Sequence, residues 1–126
     1  MSAITAKNNY TGQGGCPRLN CAQAVISAFK DDFNIEDDLV EAFKKYGGGR
    51  APNGVCGAFY AVKYIMNQLP AEDKVAELEK YFLEHAGALE CSNIRSLRKL
   101  SCVGCVEKSS EFLEKHCEDT SKAISI

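Results

Sequence analysis

The sequence feature that most constrains the fold is an apolar run of helical periodicity in the middle of the chain. Apolar residues recur there every three or four positions over four turns, at Val55, Ala58, Phe59, Val62, Ile65, Met66 and Leu69. This spacing places one apolar stripe along a helix. Gly57 and Ala61 are small enough to let a neighbouring helix approach closely. The run therefore predicts a central helix.

Further helices are indicated on both sides of this run by apolar periodicity together with start and stop signals. Asn20 is a suitable N-cap for one helix, and Gly47 ends the next, which opens with acidic residues. A short amphipathic helix follows Cys91, and Ser101 can cap the last one. Segments with the period of two that is typical of strands are absent from the sequence. We expect an all-α fold, a single compact bundle of about five to six helices.

Chain length favours one domain, because 126 residues can build one core and rarely divide into two. Residues 1–15 are polar and end in a glycine-rich segment. That composition offers little surface to pack, so we expect a flexible N-terminal arm over 1–15. The remaining residues, 16–126, are expected to form a single helical, cysteine-rich redox domain.

Charge and hydropathy exclude several kinds of partner. The net charge is −2, which gives no general basic field to attract nucleic acid or an acidic membrane surface. No apolar run approaches the roughly 20 residues that a membrane-spanning helix needs, and the first residues lack the apolar core of a signal peptide. We therefore expect a cytoplasmic protein that contacts neither nucleic acid nor a membrane.

Cysteine is the residue type that points to chemistry. In the reducing cytoplasm such enrichment indicates metal binding or redox activity more than a disulfide framework. The number of cysteines is odd, so they cannot all be paired in disulfide bonds within the chain. The seven cysteines are Cys16, Cys21, Cys56, Cys91, Cys102, Cys105 and Cys117.

Four of these cysteines share a position in the predicted secondary structure. Each falls at or just before the first turn of a different predicted helix: Cys21, Cys56, Cys91 and Cys102. Unpaired backbone N–H groups and the positive end of the helix dipole favour a thiolate there, so we expect a lowered pKa and a reactive thiol at Cys56. If the four helix starts point at one place, they create an environment suited to thiolates, sulfide or an anion. Basic side chains nearby would strengthen it, and the candidates are Arg50, Arg95, Arg98 and Lys99.

The turn before Cys56 carries more glycines than the end of a helix requires. Gly47 alone would end the preceding helix. Gly48 and Gly49 therefore indicate a hinge or a close approach of the backbone to a ligand, with Arg50 directly after them. We include Gly48, Gly49 and Arg50 among the candidate cofactor-binding residues.

Several of these segments together resemble a known family. The chain is similar to the C_GCAxxG_C_C family of putative redox-active proteins, which is related to the non-haem part of split-Soret cytochromes. The resemblance spans most of the chain after residue 16 and rests on residues 20–25, 47–50 and 55–58, on Cys91, and on Cys102 with Val106 four residues later. It implies a helical domain with a cysteine-based redox or iron–sulfur function.

Three functional hypotheses follow. The first is an electron-transfer protein that holds an iron–sulfur cluster, since four thiolates are the usual ligand set. Its metal ligands would be Cys21, Cys56, Cys91 and Cys102. The second is a metal-free thiol–disulfide protein, in which the CxxC pair Cys102 and Cys105 acts with Cys56 as the catalytic thiols. The third is a structural zinc site or a helical interaction module with buried cysteines.

The sequence leaves some points open. Cys102 and Cys105 compete for the fourth family position, and the spacing to Val106 favours Cys102. Cys16 and Cys117 receive no role. A redox function requires a redox partner protein, whose identity the sequence does not give, and the oligomeric state is open, including a homo-oligomer. Whether the protein is an enzyme is undecided.

Overall fold

The computed structural model describes residues 2–12, 19–30, 33, 35–47, 50–67 and 72–124. This part contains seven α-helices, which confirms the all-α class and corrects the expected five to six helices. They are α1 (Ser2–Thr11), α2 (Cys21–Ala28), α3 (Asp37–Ala42), α4 (Gly57–Asn67), α5 (Glu72–Ala86), α6 (Cys91–Leu97) and α7 (Cys102–Ile124). Two short 3-10 helices, Phe43–Tyr46 and Pro52–Gly54, lie between α3 and α4.

Helix α4 lies at the centre of the core, as the apolar run predicts. It packs against α2, α5 and α7. The stripe residues Ala58, Phe59, Val62, Ile65 and Met66 are buried, and the rings of Phe59 on α4 and Phe82 on α5 lie 5.1 Å apart between centroids. Val55 precedes α4 and is half-buried, and Leu69 lies outside the described residues. Burying each such large apolar side chain stabilises the folded state by about 1.5–3 kcal/mol. No helix in the described ranges is both long and apolar enough to cross a membrane.

Helix α1 lies in the segment for which we expected a flexible arm, so that expectation is wrong for residues 2–12. The helix packs against α2 and α7 and buries Ala6 completely. Asn9 adds two hydrogen bonds: its side chain donates to Ala24 O (3.3 Å), and its carbonyl accepts from Leu19 N–H (2.8 Å). The helix is held by a small buried residue and polar contacts, which a search for large apolar residues does not detect. Residues 13–18, with Cys16, lie outside the described part.

Two cap predictions are confirmed at the starts of α2 and α7. Asn20 Oδ1 accepts from Gln23 N–H at 2.8 Å, and Ser101 Oγ accepts from Gly104 N–H at 3.0 Å. Asn20 Nδ2 also donates to Lys44 O at 2.7 Å, which ties the start of α2 to the Phe43–Tyr46 turn. Each cap of this kind is worth about 1 kcal/mol. These caps therefore fix the positions of Cys21 and Cys102, the first residues of α2 and α7.

The loop before α4 is attached to the segment before α6. Cys56 N–H donates to Leu89 O at 2.7 Å, and Val55 and Glu90 form an isolated antiparallel bridge. These contacts bring the starts of α4 and α6 side by side. Cys56 and Cys91, 35 positions apart in the sequence, are thereby brought to the same region of the molecule.

Candidate functional site

Five cysteines line one cavity of about 420 Å³. Cys21, Cys91 and Cys102 are the first residues of α2, α6 and α7, and Cys56 directly precedes α4. Cys105 lies one turn further along α7. The expectation that four helix starts would bring their cysteines together agrees with this arrangement, and Cys105 joins the four. Cys56 and Cys105 are buried, whereas the other three thiols are partly exposed.

The remaining wall of the cavity is apolar, amide or cationic. It is formed by Tyr10, Leu19, Asn20, Gly47, Ile94 and the two arginines Arg50 and Arg95. No carboxylate is among the described lining residues. Sequence reasoning missed Tyr10, because it lies in the expected arm. The available signal was the helical spacing of Tyr10 from Ala6, four positions earlier.

A glycine allows Cys21 to reach the start of α4. A Cβ on Gly57 would lie 2.6 Å from Cys21 Sγ and 2.7 Å from the carbonyl oxygen of Tyr46. Contacts of that length between non-bonded heavy atoms are strongly repulsive. The absence of a side chain at Gly57 is therefore what lets the Cys21 thiol pack directly against the start of α4.

The pKa of the Cys56 thiol is raised well above its ordinary value, which corrects the expectation of a lowered pKa. The largest cause is a hydrogen bond between the thiols of Cys56 and Cys105, and burial is the second. The backbone N–H groups of Ala58 and Phe59 act in the opposite direction, as expected at a helix start. Their effect is smaller, because a buried thiol is costly to ionise and Cys105 is in contact with it.

Arg95 lies between the cysteines of α6 and α7. Its guanidinium donates a hydrogen bond to Cys102, and this contact, with the nearby Cys91, raises the pKa of Arg95. Burial raises the pKa of the Cys91 thiol, whereas the charge of Arg95 lowers it and the neighbouring cysteines Cys56, Cys102 and Cys21 raise it. The pKa of Cys91 is thus raised by the other cysteines and lowered by the positive charge of Arg95.

The pattern of cysteines and glycines identifies the family. A family model described as "Putative redox-active protein (C_GCAxxG_C_C)" matches residues 19–122. The chain belongs to this family. The C_GCAxxG_C_C match covers all five cavity cysteines and leaves α1 outside. No curated protein and no solved structure matches the chain.

Membership of the C_GCAxxG_C_C family supports redox activity of a cysteine-rich, all-α protein and specifies no cofactor. Among the residues with described placement, no three His, Cys, Asp or Glu side chains form a group that could hold a metal ion. The cysteines instead surround the cavity. Their roles as ligands or catalytic thiols therefore remain proposals.

The other predicted residues of this C_GCAxxG_C_C protein have different positions. Arg50 lines the cavity, and its Nε donates to Gly47 O at 3.1 Å. Gly48 and Gly49 lie outside the described residues, as does the side chain of Cys117. Exposed side chains at Arg98 and Lys99 follow α6 and are not part of the cavity wall.

Proposed function

We propose that the protein is a cysteine-based redox or electron-transfer protein whose cavity holds an iron–sulfur cluster. The ligands would be Cys21, Cys56, Cys91 and Cys102. The observation that carries the proposal is that these four thiols, from the starts of four different helices, line one cavity of about 420 Å³. Four cysteine thiolates are the usual ligand set of both common cluster types.

The donor set fits a cluster better than a single ion. A single zinc ion needs its thiolates about 2.3 Å from one point, and the described residues offer no such group. A cluster is a larger body that carries its thiolates on its outer iron atoms. Thiols that surround a cavity suit such a body, and the soft sulfur donor suits iron in clusters.

Polar groups of the cavity would stabilise the charge that the thiolates bring. Each thiol must lose its proton to bind iron, and the raised pKa values of Cys56 and Cys91 make this costly without metal. Arg95 offsets part of this cost through its contacts with Cys91 and Cys102. Backbone N–H groups at the helix starts add positive partial charge. A bound cluster would supply one-electron transfer. Leu19 and Ile94 add apolar surface to the cavity wall.

The test is to purify the full chain without air and to measure iron, sulfide and the visible and electron paramagnetic resonance spectra. We expect iron and sulfide in near-equal amounts and loss of both when any one of the four ligands is replaced by serine. Cys105→Ser is the matched control, since it removes a cavity thiol outside the ligand set and should keep the iron. Colourless, iron-free protein that cannot be reconstituted would contradict the proposal, as would iron retained in all four single variants.

A second candidate is a metal-free thiol–disulfide protein, and the hydrogen bond between Cys56 and Cys105 favours it. Two thiols would form one S–S bond, and their two electrons and two protons would reduce a disulfide substrate to two thiols. Cys105→Ser separates the two candidates, because it should abolish disulfide reduction and leave a cluster intact. Peptide mapping after oxidation would distinguish a Cys56–Cys105 bond from the Cys102–Cys105 bond of the CxxC pair.

A further inference from the structure

Two cations line the cysteine cavity, and two more follow one of them along the chain. Arg50 and Arg95 line the cavity, and Arg98 and Lys99 follow within four residues of Arg95. All four are exposed. No carboxylate of the described residues lies within ion-pair distance of any of them, which is also true of the exposed Lys44, Lys45, Lys80 and Lys115.

An exposed apolar side chain lies within this group. Leu97, the last residue of α6, is 56% exposed. We use the name cationic face for the exposed residues Arg95, Leu97, Arg98 and Lys99 at the end of α6. The acidic residue at the opposite end of α6 is Glu90, whose carboxylate accepts from Asn93 Nδ2 at 2.9 Å. A local excess of positive charge therefore lies on a chain whose net charge is −2.

The cavity reaches the surface beside the cationic face. Cys91 lines both the cysteine cavity and an adjacent outer groove, as does Arg95. The rest of the groove is lined by Asn53, Gly54, Ser92 and Asn93 and by the acidic Glu90, whose carboxylate is bonded to Asn93. Cys91 is therefore the cavity cysteine through which the site borders this groove.

We propose that the cationic face is the docking surface for an acidic one-electron carrier protein that exchanges electrons with the cavity. This inference rests on the proposed redox function. In the exchange the reduced carrier gives up one electron, the redox centre gains it, and no proton or group is transferred. Charge complementarity accelerates association and orients the partners, and electron-transfer interfaces are commonly small and weak. Leu97 adds the apolar contact that such a small interface needs at its centre.

The experiment measures binding of the full chain to a purified acidic [2Fe–2S] ferredoxin as the probe, at low and high salt. Arg98→Glu/Lys99→Glu reverses two charges of the cationic face that are not part of the cavity wall. Lys80→Glu/Lys115→Glu is the matched control, which makes the same charge change at exposed positions on α5 and α7. Lys115 is about 20 Å along α7 from Cys102, at 1.5 Å per residue.

We expect wild-type binding to weaken with salt and the Arg98→Glu/Lys99→Glu variant to lose about tenfold or more in affinity, whereas the control loses less than about twofold. A neutral variant, Arg98→Gln/Lys99→Gln, should give an intermediate loss, and thermal unfolding checks that each variant folds. Equal losses in both double variants, or no binding at low salt, would overturn the proposal. Tighter binding of a duplex DNA through the same residues would also overturn it.

The result is distinguishable from the test of the cluster. Ferredoxin binding is measured by chemical-shift changes or calorimetry and does not depend on iron in the chain. Iron-free protein that still binds the probe through Arg98 and Lys99 would contradict the cluster and support the docking surface. Iron-loaded protein that does not bind the probe would support the cluster and contradict the docking surface.

Discussion

Replacing Gly57 by alanine tests whether the close contact between Cys21 and α4 determines the geometry of the site. The added Cβ would lie 2.6 Å from Cys21 Sγ and 2.7 Å from Tyr46 O. To reach 3.4 Å, the lower end of ordinary contact, the sulfur would have to move by about 0.8 Å. The carbonyl of Tyr46 belongs to the backbone and cannot rotate away.

The expected loss of stability follows from two opposing effects. Alanine in place of glycine in a helix favours folding by up to about 1 kcal/mol. Overpacking a buried site costs about 1–3 kcal/mol, and Gly57 is buried with a rigid neighbour, which favours the upper part of that range. The free energy of unfolding of Gly57→Ala should therefore fall by about 1–2 kcal/mol. Displacement of Cys21 should also lower iron retention.

The assay is urea unfolding under reducing conditions, followed by circular dichroism. Gly104→Ala is the matched control, since its added Cβ would meet mainly the side chain of Leu100, which can rotate, so we expect a much smaller loss. In a Cys21→Ala background, the cost of Gly57→Ala should shrink because one of the two clashes is gone. A variant as stable as wild type, or an equal cost in both backgrounds, would refute the reasoning.

Three further predictions concern the cap, the buried thiol and α1. Asn20→Ala should cost about 1–2 kcal/mol in urea unfolding, and Asn20→Ser less, because the serine hydroxyl keeps an acceptor for Gln23 N–H and loses only the donor to Lys44 O; equal costs would contradict this. Since the pKa of Cys56 is raised in the folded state, its contribution to stability is complete below the ordinary thiol pKa of about 8.5 and is lost as pH rises through the folded pKa. In iron-free protein the free energy of unfolding should thus fall more steeply above about pH 8.5 in wild type than in Cys56→Ala, and parallel profiles would argue against it. Ala6→Asp should cost about 3 kcal/mol or more by burying an unpaired charge, while unchanged stability would show that α1 is not docked.

Signals within a few residues predicted much of the fold. The apolar period of α4, the caps at Asn20 and Ser101 and the glycine after the Phe43–Tyr46 turn are all local, and the structure agrees with them. Helix α1 was missed because its burial depends on α2 and α7, which accept Ala6 and Asn9 although the segment is polar. Tyr10 in the cavity wall was missed for the same reason.

The candidate site was predictable in its cysteines and not in their chemistry. A helix start alone favours a thiolate, and that effect is present at Cys56 through the N–H groups of Ala58 and Phe59. The thiol of Cys105 and the surrounding core oppose it and have the larger effect. The role of Gly57 was also only partly visible, since its close neighbours are Cys21 and Tyr46, which are distant in the sequence.

The sequence by itself determined that the chain is helical and that four cysteines lie at or just before the starts of four helices, because periodicity and capping act between residues at most four positions apart. The tertiary structure decided that those helix starts share one cavity, that Cys105 joins them, and that Arg95 lies against Cys102. It also decided the direction of the Cys56 pKa. The meeting of the helix starts and the burial of the Cys56 thiol both depend on contacts between segments that are distant in the sequence. The pKa of Cys56 is therefore set by those contacts and not by the turn that precedes α4.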